Sequence, residues 1–425
     1  MSNGSMSMTH TKLGDVADVK ISGVDKKTQP GEDTVRLCNY TDIYYNWAIT
    51  KEMYGGLMVA SAKASEINDY SVGKGMVVIT KDSETREDIG HSAYVADDFC
   101  DVVLGYHCAF VKPHKGELDG SFLNGLLRSS YAAKYFANNA GGSGQRYYLN
   151  EDAIKGLPLF LPSFKEQCLI GKFLSSIDRK IALNRKKIEK MEALAKTIYD
   201  YWFVQFDFPD ANGRPYKSSG GKMVYNPILK REIPAGWEVG NLYRIAEYEN
   251  GLACQKFRPR EGEAQLPVVK IREMHEGLSA DSEFVSVNIP EKHKLHDGDL
   301  LFSWSASLEV MLWCGGDAGL NQHIFKVIPK DGFSTGYVLL QLSQSVVNFI
   351  KIAEARKTTM GHITSDHIEH SCVALPDTSV RKMFAAATDC IFARVIRLRQ
   401  ETRRLISRRD FLLPLLMNGQ VEVGE

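Results

Sequence analysis

The chain has 425 residues, of which 44% are hydrophobic and 24% charged, and its basic and acidic residues balance to a formal net charge of zero. This is the composition of an ordinary soluble protein, and the length exceeds what one hydrophobic core serves, so we expect two domains of about 150 residues with connecting helices. Zero net charge argues against a uniformly basic nucleic-acid binder, although the distribution of charge matters more than its total.

Residues 1–10 are polar and lack the apolar core of a signal peptide. No run approaches the roughly 18 to 20 apolar residues of a membrane span. We therefore expect a cytoplasmic protein without membrane contact. The cysteines occur singly, without a CxxC pair, so neither a zinc knuckle nor a disulfide framework is indicated, and we expect reduced thiols, mostly in cores. They are Cys38, Cys100, Cys108, Cys168, Cys254, Cys314, Cys372 and Cys390.

The first part of the chain, residues 1–162, alternates short apolar runs with Gly, Asn and Asp, a pattern that predicts strands. One helix is expected near residues 120–137. The predicted strands are Arg36–Asn39, Gly56–Ala60, Met76–Thr80, Val102–Tyr106 and Cys108–Val111.

From about residue 163 to 207 the period changes, and apolar residues recur at alternating steps of four and three. This heptad predicts a long helix that packs against another helix, about 55 Å in length if it runs from Glu166 to Phe203. The seam positions are Ile170, Leu174, Ile177, Ile181, Asn184, Ile188, Met191 and Ile198. Asn184 is either a buried polar residue that fixes helix register or a solvent-facing residue where the seam frays.

Residues 208–235 hold many Pro and Gly residues, too many for regular structure, and are interpreted as a linker. A second strand-rich part follows at residues 236–376, and its landmarks parallel those of the first. Leu242–Ala246 corresponds to Leu13–Ala17, Gly298–Phe302 to Gly75–Ile79, and Phe325–Pro329 to Phe110–Pro113.

A second long helix is predicted within residues 377–425, with seam positions Phe384, Ile391, Leu398, Leu405 and Leu412. Residues 144–203 in fact recur in weakened form at 361–417, at a constant spacing of 214 across the clearest stretch. The alternate seam positions of the second helix include Thr388, Thr402 and Arg409, so it should depend on the first helix to stay folded. We predict an α+β fold in which two pseudo-repeated strand-rich globules lie at opposite ends of two long antiparallel coiled-coil helices.

No catalytic motif is found. The chain has no GxxxxGK[ST] loop, and Asn226-Pro227 lacks the rest of an adenine methyltransferase motif. His362, His367 and His370 could share one helix face but lack supporting ligands, so we expect no metal site. A nuclease or methyltransferase with its own reader is therefore disfavoured.

Nucleic-acid binding remains, because each strand-rich part offers aromatic and amide residues beside basic ones, which suit phosphate anchoring and base-edge contacts. Between Val380 and Asp410 there are also nine basic residues against three acidic ones, which fits either a DNA-facing or a merely solvated helix face. The candidate residues are Arg36, Asn39, Tyr44, Tyr45, Asn46, Lys51 and Lys63 in the first part, and Lys256, Arg258, Arg260, Lys270, Arg272, Trp304 and Lys357 in the second.

Several motifs, in the order in which they occur, resemble the specificity subunit of Type I restriction-modification systems over nearly the whole chain. They are Leu161–Gln167, Trp202–Asp210, Gly213–Met223, Ile233–Glu238, Thr359–Thr364 and Leu412–Gly419. By position in this resemblance, Gly361-His362 lies in a loop facing the helix-proximal side of a recognition domain, and Gly144-Gln145-Arg146 is its counterpart. Gln145, Arg146 and His362 therefore join the candidate DNA contacts. The second helix begins without the equivalent of Glu166-Gln167, so docking there should be looser or use different contacts.

The resemblance implies two target-recognition domains, each reading half of a split double-stranded DNA site, held apart by the two helices. It implies partners as well: two modification subunits, which bind S-adenosylmethionine and methylate adenine, and restriction subunits, which use ATP and Mg²⁺. The chain itself would be non-catalytic and hold no cofactor. The alternative is a non-catalytic scaffold whose globules bind protein; it predicts no salt-sensitive DNA binding.

Overall fold

A computed structural model describes residues 8–305, 307–330, 332–355 and 365–424 of the chain. The chain forms two compact units. Unit 1 comprises Met1–Ala182 together with Leu405–Glu425, and unit 2 comprises Leu183–Arg404.

The elements of the first part follow in chain order. The strands are β1 (Thr9–Lys12), β2 (Ala17–Ile21), β3 (Asp33–Cys38), β4 (Ala48–Ile49), β5 (Met58–Ala62), β6 (Val77–Thr80), β7 (Asp82–Ser83), β8 (Ser92–Val95), β9 (Val102–Leu104), β10 (Cys108–Pro113), β11 (Gly141–Ser143), β12 (Arg146–Tyr148) and β13 (Pro158–Leu161). The helices are α1 (Leu13–Val16), α2 (Tyr40–Tyr44), α3 (Ala64–Tyr70), α4 (Gly120–Leu127), α5 (Ser130–Asn139), α6 (Glu151–Lys155) and α7 (Phe164–Tyr199), the last continuing as a π-helical turn over Asp200–Val204.

The second part continues the numbering. Its strands are β14 (Met223–Asn226), β15 (Arg231–Pro234), β16 (Glu238–Asn241), β17 (Ala246–Asn250), β18 (Gln265–Val269), β19 (Phe284–Ser286), β20 (Lys294–Leu295), β21 (Leu300–Ser303), β22 (Glu309–Leu312), β23 (Ala318–Leu320), β24 (Ile324–Pro329) and β25 (Cys372–Leu375). Its helices are α8 (Ile271–Glu276), α9 (Thr335–Ala355), α10 (Ser365–His370) and α11 (Thr378–Met417).

Unit 1 is built on a five-stranded sheet of order β2-β10-β6-β8-β4 and a three-stranded sheet of order β5-β3-β9. In the second sheet, β3 and β9 are parallel. The largest core of the unit packs the five-stranded sheet against helix α4 and against both long helices, through Leu174 of α7 and Leu413 of α11. Each such buried leucine contributes roughly 1.5 to 3 kcal/mol through removal of apolar surface from water.

Unit 2 repeats this pair of sheets, which we call the frame, with a sheet of order β17-β24-β21-β22 and a sheet of order β19-β18-β23-β20. The strand registers agree: Ala17 pairs with Pro113 in unit 1, and Ala246 pairs with Pro329 in unit 2. Strands β18 and β23 are parallel, as β3 and β9 are. The duplication seen in the sequence is thus a duplication of strand order and register.

The two long helices pack antiparallel within unit 2. Asn184 of α7 donates from Nδ2 to Glu401 Oε2 of α11 at 3.0 Å, and Arg399 donates to Glu192 at 2.7 Å. Further along, the ring centroids of Tyr199 and Phe384 are 6.3 Å apart. Helix α7 has 36 residues and α11 has 40. The predicted α+β fold, with strand-rich parts and two long helices, is confirmed.

Several expectations need correction. Residues 120–137 form two helices because Arg128 ends α4, and Ser129 then caps α5 by accepting from the backbone N–H of Ala132. Residues 208–235 contain regular structure, since β14 and β15 pair as an antiparallel hairpin. Pro234 lies within β15, Pro209 and Pro215 form a bridge with each other, and Phe208 and Ile233 are buried in the core.

The expectation that most cysteines lie in cores is wrong, because only Cys38, Cys108 and Cys254 are buried, although all eight are free thiols.

The start of α11 is capped differently from the start of α7. Asp377 Oδ1 accepts from the backbone N–H groups of Ser379 and Val380, at 2.8 and 3.0 Å. An aspartate cap therefore takes the place of the Ser163–Glu166 pair that caps α7.

Candidate nucleic-acid interface

The equivalent strands of the two units bring polar loops together at the same place. Carboxyl ends of parallel strands meet at one edge, so the residues after β3 and β9 are neighbours, as are those after β18 and β23. A third loop contacts these residues. In unit 1 it follows β6, and the backbone N–H of Lys81 donates to His107 O at 3.0 Å. In unit 2 it follows β21, and the backbone N–H of Trp304 donates to His323 O at 3.4 Å. We call this region of each unit its carboxyl-end surface.

In unit 1 the surface is aromatic. His107 lies under Tyr106, with ring centroids 3.7 Å apart, and meets the edge of Tyr40 at 6.3 Å. Tyr106 and Tyr40 are 37% and 45% exposed. Lys26 Nζ lies 5.5 Å from the centroid of the Tyr40 ring, so a cation accompanies the exposed rings.

A small ion cluster orients His107. Asp82 Oδ2 lies 2.7 Å from His107 Nδ1 and 2.8 Å from Lys81 Nζ. Strand β7, which carries Asp82, pairs with β12, so the β11–β12 hairpin borders the same surface. The hairpin presents Arg146 and Tyr148 to solvent.

Helix α2 adds a second aromatic group. The Tyr44 hydroxyl donates to Asp88 Oδ1 at 2.9 Å, and its ring lies 4.1 Å from that of His91. Partial burial and the bond to Asp88 raise the pKa of Tyr44 to about 12, so the hydroxyl keeps its proton. Tyr45, beside it, is 71% exposed and is the more available side chain for stacking on a base.

In unit 2 the same positions carry different chemistry. Trp304 lies 5.6 Å from His323 between ring centroids, and its Nε1 donates to Asn250 Oδ1 at 3.4 Å. Gln322 Nε2 lies 3.3 Å from His323 Nε2. By strand register, Gln322 therefore stands where unit 1 has Tyr106, and Trp304 stands where it has Lys81.

A basic segment leads away from this surface. Lys256, Arg258 and Arg260 are all exposed. Lys270, which follows β18, is instead held by Glu283 at 2.5 Å, and Arg272 is held by Glu273 at 2.7 Å. The hydrogen bond from Lys270 lowers the pKa of Glu283. The three exposed cations of the segment suit phosphate contacts better than the two paired ones.

The predicted residues of unit 1 divide in the same way. Arg36 donates to Leu57 O and lies over the Tyr54 ring, and Asn46 donates to Asp42 O. Asn39 is only 8% exposed and begins helix α2, so its interpretation as a base contact is corrected to a structural role. Lys51, Lys63 and Gln145 are exposed. Lys357 and His362 lie outside the described residues.

Sequence reasoning missed Lys81, Tyr106 and His107 in unit 1, and Asn250, Gln322 and His323 in unit 2. A signal was available, because Tyr106-His107 lies at the junction of two predicted strands. Aligning the repeats by Pro113 and Pro329 places His107 opposite His323.

The predicted helix seam is buried at about half of its positions and half-buried at the others. Ile170, Leu174, Ile181, Asn184, Phe384, Ile391 and Leu398 are buried, whereas Ile177, Ile188, Met191, Ile198, Leu405 and Leu412 are half-buried. Asn184 is fully buried, so the solvent-facing alternative does not describe it, and its Oδ1 has no hydrogen-bond partner in the described structure.

The basic run of α11 is partly structural. Arg403 binds Asp297 through Nη1 and Nη2, both at 3.0 Å, and Arg409 lies over the Trp47 ring at 4.9 Å. Arg394, Arg397, Arg404 and Arg408 remain exposed. Within the described ranges, no three His, Cys, Asp or Glu side chains gather into a metal-binding group. Among those same residues, none of the helices combines the length and apolar character that crossing a bilayer requires.

The chain is similar in sequence to known proteins of one kind. Residues 7–193 match the model of the Type I restriction modification DNA specificity domain. A Type I restriction enzyme specificity subunit, MjaIX of Methanocaldococcus jannaschii, is 24% identical over 318 residues, which cover 72% of this chain and 69% of that protein. The HindI specificity subunit of Haemophilus influenzae is 22% identical over 392 residues, covering 80% and 85%.

The fold has a solved counterpart. The crystal structure of a Type I restriction-modification S subunit from M. genitalium aligns with a TM-score of 0.60 at 12% identity, covering 98% of this chain and 97% of that one. The resemblance drawn from the sequence is confirmed: the chain is similar to Type I restriction specificity subunits.

Proposed function

We propose that the chain is the DNA-specificity subunit of a Type I restriction-modification complex and that it recognises a divided DNA site. The observation that carries this is the duplicated frame, which presents two carboxyl-end surfaces of equal strand register but different side chains. Unit 1 offers tyrosines and unit 2 offers Trp304 with amides. Two such surfaces suit two half-sites of different sequence.

In this proposal the carboxyl-end surfaces face the bases while exposed cations such as Arg146 and Arg258 contact phosphates. The two long helices hold the recognition domains at a fixed separation and so set the unread gap between half-sites. The chain performs no chemistry. Two modification subunits methylate adenine, restriction subunits cleave DNA, and this chain directs both to the site.

The test is to co-express the chain with its modification subunit and to map methylated adenines across the host genome by long-read sequencing. We expect a split motif with a constant gap that disappears when the chain is omitted. The same methylation pattern with and without the chain would contradict the proposal and favour a protein-binding scaffold.

A further inference from the structure

Unit 1 holds the imidazole of His107 in one orientation at its carboxyl-end surface. Asp82 Oδ2 lies 2.7 Å from Nδ1, and the ring of Tyr106 lies against the imidazole with a centroid distance of 3.7 Å. The edge of Tyr40 approaches to 6.3 Å between centroids, with the two ring planes at 86°. These contacts leave the His107 side chain 35% exposed. The ring is therefore accessible to a ligand but has little freedom to turn.

The carboxylate that holds the ring is itself fixed. Strand β7, which carries Asp82, pairs with β12, and Lys81 O accepts from the backbone N–H of Leu149 at 2.8 Å. Lys81 Nζ lies 3.0 Å from Asp82 Oδ1 and 2.8 Å from Oδ2, so the ammonium group balances the charge of the carboxylate. An ionised carboxylate only accepts hydrogen bonds, and it therefore keeps the proton of a neutral imidazole on Nδ1.

This tautomer decides what His107 can recognise. In a neutral ring with its proton on Nδ1, Nε2 carries a lone pair and can only accept a hydrogen bond. Within the described part of the chain, no group bonds to Nε2. In the major groove, adenine and cytosine present an amino donor where guanine and thymine present the acceptors O6 and O4. The Nε2 lone pair therefore complements the amino bases and disfavours the other two.

Unit 2 has a histidine at the same position but lacks the carboxylate. The strand register places His323 opposite His107 and Ser305 opposite Asp82. Gln322 Nε2 lies 3.3 Å from His323 Nε2, so the nitrogen that is open in unit 1 meets an amide in unit 2. The fixed acceptor is thus a feature of unit 1 alone and not of the shared frame.

We propose that His107 Nε2 accepts a hydrogen bond from the amino group of an adenine or cytosine and so determines one base of the half-site that unit 1 reads. Asp82 is the positioning residue that keeps this nitrogen an acceptor. The inference rests on the proposed function, which gives the surface to DNA but assigns no base to any side chain. His323, whose Nε2 faces Gln322, has no such role.

The test compares adenine-methylation maps, made by long-read sequencing after each variant is co-expressed with the modification subunit. We expect His107→Gln to keep the motif, because the glutamine oxygen still accepts a hydrogen bond. His107→Lys, which only donates, should lose the preferred base at one position and admit guanine or thymine on the strand that carried adenine or cytosine. Asp82→Ser, which copies unit 2, should lower the preference at that position about fivefold or more.

His114→Lys is the matched control. His114 follows the other end of β10, its side chain is 39% exposed, and Asp18 Oδ1 lies 3.6 Å from its Nε2. This variant should leave the motif unchanged. Equal melting temperatures would show that all four variants fold.

The outcomes separate this inference from the proposed function. If the unaltered chain directs no split motif, the proposed function fails and the inference fails with it. If the unaltered chain directs a split motif that His107→Lys leaves intact, the function stands and the role of His107 is wrong. Equal relaxation by His107→Gln and His107→Lys would show that His107 is not an acceptor. Changes in both halves of the motif would overturn its assignment to unit 1.

Discussion

Gly171 shows how one residue can depend on a contact that local sequence does not reveal. It lies inside helix α7, where a Cβ would come 2.1 Å from Ser121 Oγ and 2.6 Å from Asp119 Oδ1. Asp119 caps helix α4 by accepting from the backbone N–H of Phe122 at 2.9 Å. The glycine therefore lets the long helix approach the start of α4 without breaking its cap.

Helix propensity and packing make opposite predictions for Gly171→Ala. Propensity alone predicts that the free energy of unfolding rises by about 1 kcal/mol. Overpacking against the nearby start of α4 instead costs about 1 to 3 kcal/mol and should also disturb the Asp119 cap. We expect a net loss of roughly 1 to 2 kcal/mol in the free energy of unfolding, measured by urea titration. Gly55→Ala is the control, since no atom lies within 4 Å of its Cβ position. A stabilised Gly171→Ala variant would refute the packing argument.

The carboxyl-end surfaces allow a residue-level test of which unit reads which half-site. We expect Tyr106→Ala to weaken methylation selectivity in one half of the motif only, and Trp304→Ala to do so in the other half. Loss of a stacked aromatic costs about 1 to 3 kcal/mol per base. Long-read methylation maps of both variants provide the measurement, with the exposed Tyr131→Ala as control. Relaxation of both halves by either variant would show that the assignment is wrong.

At the scale of elements, the long helices could be predicted because a heptad is a local pattern. The hairpin of residues 223–234 could not, because pairing of Met223 with Pro234 depends on contacts that breaker counts ignore. Tyr45 and Trp304 were chosen from residue type and remain candidates: Tyr45 is 71% exposed, and Trp304 lies beside His323. Asn39 was chosen on the same grounds and is buried, because exposure is set by packing rather than by residue type.

Asn184 is a test of polarity in the helix seam. Its Oδ1 is buried without a partner, while its Nδ2 donates to Glu401. Replacing a buried polar residue by an apolar one of similar size is often stabilising, so Asn184→Leu should raise the free energy of unfolding by about 1 kcal/mol. Thermal unfolding measures this, with the exposed Asn288→Leu as control. A lower melting temperature would mean that the bond to Glu401 outweighs the unsatisfied oxygen.

Asp297 anchors helix α11 to the strands of unit 2. Burial raises its pKa, but hydrogen bonds from Arg403, Gly316 and Gln400 outweigh this effect, and the net pKa is lowered. A carboxyl group whose pKa is lower in the folded state stabilises the fold above its unfolded pKa of about 3.9 and loses that contribution as the pH falls through the folded value.

We therefore expect Asp297→Asn to destabilise the chain by about 2 to 3 kcal/mol at pH 7, because Arg403 loses its partner. The difference from the unaltered chain should shrink below about pH 4. Urea titrations at several pH values measure it, and Asp281→Asn, at an exposed site, is the control. A difference that does not depend on pH would show that charge is not the cause.

At the scale of the whole molecule, the proposed function makes the long helices a ruler. One heptad added to both α7 and α11 lengthens each by about 10.5 Å, and the gap between half-sites should grow by about three base pairs at 3.4 Å per pair. Methylation mapping reads the gap directly. The same seven residues inserted at the exposed turn near Ser219 should leave it unchanged. An unaltered gap in the helix variant would exclude the ruler.

The discontinuity of unit 1 has a consequence for the order in which the chain folds during synthesis. Unit 2 is one continuous stretch, Leu183–Arg404, whereas the core of unit 1 includes Leu413, Leu416 and Met417. The N-terminal globule is synthesised first. Part of its apolar surface therefore stays exposed to solvent until Leu413, Leu416 and Met417 have left the ribosome. A premature stop codon after residue 404 would therefore leave unit 2 complete and remove part of the core of unit 1, although most of unit 1 is synthesised first.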